Sequence, residues 1–203
     1  MKTFVKNAVA GLVLPVLFLL VMSAPVQAQV LAHSGEVAGA IGYDHSSFTT
    51  SSGGLAITSH YFVSGSGGYN VTPSITVLGE YKFDPLVAPS GGAWKWHSQQ
   101  AGSAVRFNFT PSKKIVPYAI VGMGYDRLTA TTSGIYQYSD GYYVNFGGGA
   151  SCYVGKNWGI RPEVRYERQH TVYGPANETL TANVVDLSGS IFYQFGGTGK
   201  KKK

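Results

Sequence analysis

Nucleophilic chemistry requires a Ser or Cys, a His within hydrogen-bond reach, and an acid that orients the His. His45 and Ser47 stand two apart, a spacing that puts both side chains on one face of a strand. His60, His97 and His170 have no metal-ligand spacing to one another or to carboxylates, so no metal is expected. The chain contains no Gly-x-Ser-x-Gly elbow, phosphate loop or dinucleotide fingerprint, so no cofactor is expected either. The single cysteine, Cys152, cannot form an intramolecular disulfide. Trp94 and Trp96 flank Lys95, a combination suited to a membrane surface or a glycan, or to an interfacial aromatic belt. No residue is assigned to catalysis on these grounds, and His45–Ser47 is the one competing constellation.

The elements that must position these residues follow from composition. In 203 residues, charged side chains make up 13%, about half the ~25% usual in a soluble domain. Lys2 and Lys6 open the chain, and an apolar stretch follows from Ala8 to Met22, interrupted by Gly11 and Pro15. Residues 1–28 therefore read as a signal peptide cleaved before Gln29. The competing reading as an anchor suffers from a short apolar core broken by Pro15. Residues 29–197 are expected to form one domain and 198–203 a basic tail, either solvated or touching anionic headgroups. Setting aside Lys2, Lys6 and Lys200 to Lys203, ten basic residues face ten acidic ones, so the net charge of +6 gives no footprint for nucleic acid.

Within the mature chain the recurring signal is alternation of period two. Ile160, Pro162, Val164 and Tyr166 share one face, and Arg161, Glu163, Arg165 and Glu167 share the other. The same reading gives strands around Glu36–His45, Ile57–Asn70, Ile75–Phe83, Val105–Phe109, Val116–Asp126, Val144–Val154 and Val185–Phe195, eight in all. Short turns at Asn70–Ser74, Thr110–Lys114 and Gly155–Trp158 alternate with longer polar connections. The latter run over Ser46–Ala56, Asp84–Ser98, Arg127–Gly141 and His170–Thr181. This layout is that of an all-β protein, an eight-stranded antiparallel up-and-down transmembrane β-barrel. Pro162 removes a ladder donor and is expected to be absorbed by a bulge.

Which face meets lipid decides between a membrane barrel and a soluble sandwich. Aromatic residues near strand ends are expected to form lipid-facing girdles: Tyr43, Tyr81, Phe83, Phe107, Phe109, Tyr125, Phe146, Trp158, Tyr166, Tyr193 and Phe195. Cys152 is expected on the same lipid face. The opposite faces carry Glu80, Glu163, Glu167 and Asp186 against Lys82, Arg106, Arg161 and Arg165, four of each sign. Eight strands leave an interior just wide enough for side chains. There a balanced set can neutralise itself by bidentate pairing. Such a lumen is plugged, whereas a narrow channel would show an excess of one sign.

The segments Val37-Ala-Gly-Ala-Ile-Gly-Tyr43, Pro117-Tyr-Ala-Ile-Val-Gly-Met-Gly-Tyr125 and Ile191-Phe-Tyr-Gln-Phe195 resemble small outer-membrane β-barrel proteins of the OmpA/OmpX type over nearly the whole mature chain. The resemblance implies periplasmic termini, insertion by the barrel-assembly machinery reading a Phe-ended last strand, and a monomer in contact with outer-membrane lipid and lipopolysaccharide. Phe195 is followed by Gly196 to Lys203, a departure from a terminal aromatic. The His45–Ser47 spacing is similar to that of lipid A deacylase barrels, with Glu178 as the orienting acid, although in that family the pair falls late in the chain. The function expected is a structural or surface-interaction role through extracellular loops, without catalysis. The alternatives are a lipid A-modifying hydrolase and a narrow channel.

Overall fold

The structure is a computed structural model, and it describes residues 30–50, 55–85, 95–132, 135–173 and 178–197. The expected signal peptide and basic tail lie outside the described residues, as does Trp94; of Lys95 and Trp96 only the backbone is described. Eight strands, β1 (Ser34–Thr50), β2 (Leu55–Thr72), β3 (Ile75–Asp84), β4 (Lys95–Asn108), β5 (Ile115–Thr132), β6 (Ile135–Tyr153), β7 (Trp158–Tyr173) and β8 (Glu178–Gly196), pair in sequence order. β1 pairs antiparallel with β8 from Ser34↔Gly196 to Thr50↔Leu180, so no sheet edge is left open. Closure satisfies the backbone where no water can.

The ladder also fixes the tilt. Starting at Gly35, direct partners run through Tyr69, Val77, Val105, Val121, Phe146, Tyr166 and Val185 and return to β1 at His45, a stagger of ten residues. Strand number and stagger together set the bore. One irregularity breaks the register, between Asn70 and Thr72 in β2.

Alternation decides the two faces. Ile41, Tyr61, Met123, Phe146, Leu187 and Ile191 point outward and are between 55% and 74% exposed, as a lipid-facing wall requires. Of the expected girdle, Tyr43, Tyr81, Phe107, Phe109, Tyr125, Phe146, Trp158, Tyr193 and Phe195 are exposed. Phe83 and Tyr166 are half-buried, because Phe83 leans on His97 and Tyr166 on Phe146. Cys152 keeps the outward parity of its strand but is buried, so the expectation that it meets lipid is corrected.

The long connections need a larger correction. Most of three expected loops is strand: β5 and β6 pair up to Thr132↔Ile135, β1 and β2 up to Thr49↔Leu55, and β7 and β8 up to Tyr173↔Glu178, whereas of Asp84–Ser98 only residue 84 and residues 95–98 are strand. Above the aromatic girdle the outward face meets water instead of lipid and the inward face keeps small or polar residues such as Thr129 and Ser139, so the apolar alternation fades while pairing continues through Thr and Tyr, which suit extended backbone. The short turns lie where they were expected. Pro162 is also corrected: β6 and β7 pair up to Gly149↔Glu163 and resume at Cys152↔Ile160 without a change of register, so the ladder lapses there and no bulge forms. Ala150, lacking an N–H from Pro162, has its carbonyl approached by Cys152 Sγ at 3.9 Å.

The turn end is sealed by apolar packing. Val30, Val116, Tyr153 and Phe192 form one buried cluster, with Val30 N–H donating to the Pro111 carbonyl at 2.9 Å. Inward glycines make space for large inward rings. A Cβ on Gly102 would lie 2.3 Å from the Tyr143 hydroxyl and 2.6 Å from the Met123 carbonyl. One on Gly42 would lie 2.2 Å from the Phe62 ring.

Candidate functional site

The interior is built from inward positions of all eight strands, and it divides into layers. Nearest the turn end, Arg106 forms a bidentate pair with Glu36 at 3.0 and 2.8 Å, while Arg161 Nη2 donates to Glu36 Oε1 at 2.9 Å. Arg161 also lies over the Phe192 ring at 4.4 Å. Thr76 and Asn70 tie this layer to Ser34 and Gln194 through hydrogen bonds of 2.6 to 2.8 Å. Arg106 is 2% exposed and Glu36 3% exposed, so nothing but protein screens the charges.

In the middle layer Arg165 forks onto Glu80 at 2.8 and 2.7 Å, and its Nε donates to Glu163 Oε1 at 2.6 Å. The Tyr118 hydroxyl donates to Glu163 Oε2, also at 2.6 Å. A cavity of about 70 Å³ borders Glu80, Arg165 and Ser64, large enough for ordered water by the usual ~10–15 Å³ requirement. Across these two layers three arginines meet three glutamates.

The outer layer is different. Lys82 Nζ donates to Asp44 Oδ2 at 2.7 Å and to Asp186 Oδ2 at 3.1 Å, and stands 4.5 Å from the Phe62 centroid. Glu167 accepts from Gln100 and Gln169, both at 2.7 Å, and Asp126 accepts from Ser98 at 2.7 Å. His60 Nε2 is 3.4 Å from Asp44 Oδ2 and 3.9 Å from Asp84 Oδ2.

All eight residues expected in the lumen charge network point into the barrel, and the structure adds Glu36, Asp44, Asp84 and Asp126. The expected balance of four against four is therefore corrected to eight carboxylates against four permanent cations. Glu36 and Asp44 belong to a strand whose apolar pattern is diluted by Gly and Ala. Asp84 and Asp126 sit where strands were expected to give way to connections. Their partners lie on other strands, at separations that carry no local signal.

The structure does not join His45 to Ser47. His45 Nδ1 lies 2.9 Å from the Ser59 hydroxyl across the β1–β2 ladder, and the Ser47 hydroxyl donates to the Asn183 carbonyl at 3.5 Å. The side chain of Glu178 lies outside the described residues. His60, which sequence spacing left without a carboxylate, has two. His97 and His170 lie against Phe83 and Tyr142, respectively.

Beyond the Tyr125 and Tyr142 level, on the outward face of the β5–β6 hairpin, Arg127 Nε donates to Asp140 Oδ1 at 2.8 Å. The Tyr125 hydroxyl donates to the same carboxylate. Arg127 lies over the rings of Tyr125 and Tyr138 at 5.7 and 5.8 Å. The Arg127 guanidinium, followed by the Tyr125 hydroxyl, holds the Asp140 carboxyl below its usual range.

A closed eight-stranded wall with apolar side chains outside and ion pairs within is the arrangement of an outer-membrane barrel. The family model for the outer membrane protein beta-barrel domain matches residues 14–196. The chain belongs to this family. Membership places the protein in the bacterial outer membrane. Among solved structures it is similar to Neisserial surface protein A, with 18% identity and a TM-score of 0.61 over 78% of this chain and 97% of that one. The outer membrane protein OprG from Pseudomonas aeruginosa matches at 12% identity and a TM-score of 0.51, over 85% of this chain and 100% of that one. The outer membrane enzyme PagL matches at 16% identity, over 75% of this chain and 97% of that one, with a TM-score of 0.37 that carries no weight for chemistry. At these identities the likenesses speak for the fold alone. No curated protein matches the chain.

Proposed function

We propose that this family member is a non-catalytic surface barrel, inserted as a monomer by the barrel-assembly machinery, whose outer hairpin arms contact the phosphate-bearing headgroups of lipopolysaccharide. The observation that carries this reading is the outward pair Arg127 and Tyr138, exposed beyond Tyr125 and Tyr142 on β5 and β6, with the exposed Arg168 of β7 facing Val144 at the level of that girdle. Guanidinium groups backed by aromatic rings suit phosphate at the level where headgroups sit. The plugged interior supports a scaffold role: the Glu36–Arg106–Arg161 layer and the Val30 seal cross the path a solute would take. The excess of carboxylates that a channel would favour stands only on the outer side of this closure.

Copurification with lipopolysaccharide tests the reading. Wild-type barrel extracted in mild detergent should carry bound lipopolysaccharide by native mass spectrometry. R127A/R168A, with its heat-dependent gel shift intact, should lose most of it. Equal retention by both proteins would reject the assignment. The 2.9 Å contact between His45 and Ser59 favours a second reading, hydrolysis of an acyl ester at the membrane surface. That reading requires overexpression to change the mass of lipid A, and S59A to abolish the change.

A further inference from the structure

The outer layer of the interior has a charge problem that its own side chains leave unsolved. Asp44, Asp84, Asp126, Glu167 and Asp186 are all buried there, and Lys82 is the one permanent cation among the described residues that reaches them. Asp126 and Glu167 have hydroxyl and amide donors, and Asp186 has Lys82. Among the described residues Asp84 has no ion-pair partner within 4 Å but His60, at 3.9 Å, a distance too long for a hydrogen bond. Asp44 Oδ1, Asp84 Oδ1 and His60 Nδ1 are buried without any hydrogen-bond partner. An unpaired buried polar atom is costly, and one on each of three neighbouring residues, whose Nε2 and Oδ2 atoms already face one another, indicates something else that binds there.

We propose that Asp44, His60 and Asp84 form a binding site for a divalent transition-metal cation of the Zn2+ class at the outer end of the barrel interior. The ladder builds the site: Asp44 and His60 are direct cross-strand partners, and Asp84 is diagonal to His60 because Val63 faces Phe83. One ligand atom from each residue lies within 4.8 Å of the other two. Bonds of about 2.0–2.1 Å to a tetrahedral Zn2+ put donors about 3.3 Å apart, close to the 3.4 Å between His60 and Asp44. Asp84 needs to close by about half an ångström from its 3.9 Å. The 3.4 Å is to Asp44 Oδ2, which also accepts from Lys82; Oδ1 of the same carboxylate has no partner, and a turn of the group offers it to the metal while Oδ2 stays on the ammonium. A cavity of about 20 Å³ borders His60, Asp84, Ser98 and Asp126, room for one water as a fourth ligand. One imidazole with two carboxylates selects a borderline cation over Mg2+ or Ca2+, which take all-oxygen shells.

The test is calorimetric titration of Zn2+ into the chelator-stripped, full-length barrel in detergent, with heat-dependent gel mobility as the check of folding. Wild type is expected to bind one Zn2+ at this site, and H60Q and D84N each to weaken it by at least about tenfold. H45Q, altered at an outward histidine, is expected to bind like wild type. Co2+ should give a visible ligand-field band in wild type and lose it in H60Q. Absence of Zn2+ binding by wild type overturns the site. Retention of wild-type affinity by H60Q and D84N overturns it too, and moves the binding to surface histidines. If H60Q fails to fold, D84N and the wild-type Co2+ spectrum decide.

Discussion

At the scale of single residues, the buried pair Arg106–Glu36 is the strongest test of the interior. Removing one partner leaves an ion uncompensated away from water, and R106M should cost about 3–5 kcal/mol, read as a lower urea midpoint for unfolding. E36Q/R106M should recover part of that loss, because neither charge is then left alone. A double variant as unstable as R106M would contradict pairing as the cause. Asp140 is a test of the opposite kind, being half exposed. Its carboxyl is depressed in the folded barrel by Arg127, so its contribution is complete above the unfolded value of about 3.9 and is lost as pH falls below that. Screening by water keeps the effect small. Hydrogen exchange in the outer part of β5 and β6 should rise on acidification below about pH 4 in wild type and be indifferent to that step in D140N.

At the scale of elements, legibility depended on contrast between faces. Between the girdles one face meets lipid and the other a polar bore, so Ile160 to Glu167 shows its period plainly and its faces are as the sequence implies. Above the girdle the contrast vanishes, and Arg127–Gly141 looks like loop although its backbone continues to pair. Partnership across strands was the least legible level. Nothing local to Asp44, His60 or Asp84 announces that closure of the sheet will bring them together, since register is a property of the whole ladder. Glycine can be misread in the same way: Gly102 weakens a strand in isolation, yet here it leaves the space that Tyr143 fills. G102V should lower the unfolding midpoint by an amount equivalent to about 1–3 kcal/mol. An unchanged midpoint would mean that Tyr143 finds another rotamer at no cost.

At the scale of the whole molecule, the ladder puts the chain ends of β1 and β8 on the same side as the turns at 73–74, 109–114 and 154–157. A single orientation then follows for every connection. In intact cells a membrane-impermeant maleimide should label Y138C, on the outer part of β6, and should leave K156C unlabelled until the outer membrane is opened. The reverse pattern would turn the barrel over and place the unbalanced carboxylates toward the periplasm. The native Cys152, being buried, should contribute little background.

The lapse at Pro162 also has a consequence in time. Among the described residues the wall is stitched continuously except at the register shift between Asn70 and Thr72 on β2 and between β6 and β7, where pairing stops after Gly149 and resumes at Cys152. An amide is released to solvent when its neighbours part, and parting is easiest where a stitch is already missing. In deuterated detergent solution Ala150, whose amide faces the lapse, should lose its proton well before Val121 or Ile191, which lie on uninterrupted seams. A barrel with one fast seam yields locally before it yields as a whole. Its lifetime under denaturant would then be set by the stretch of wall around one proline.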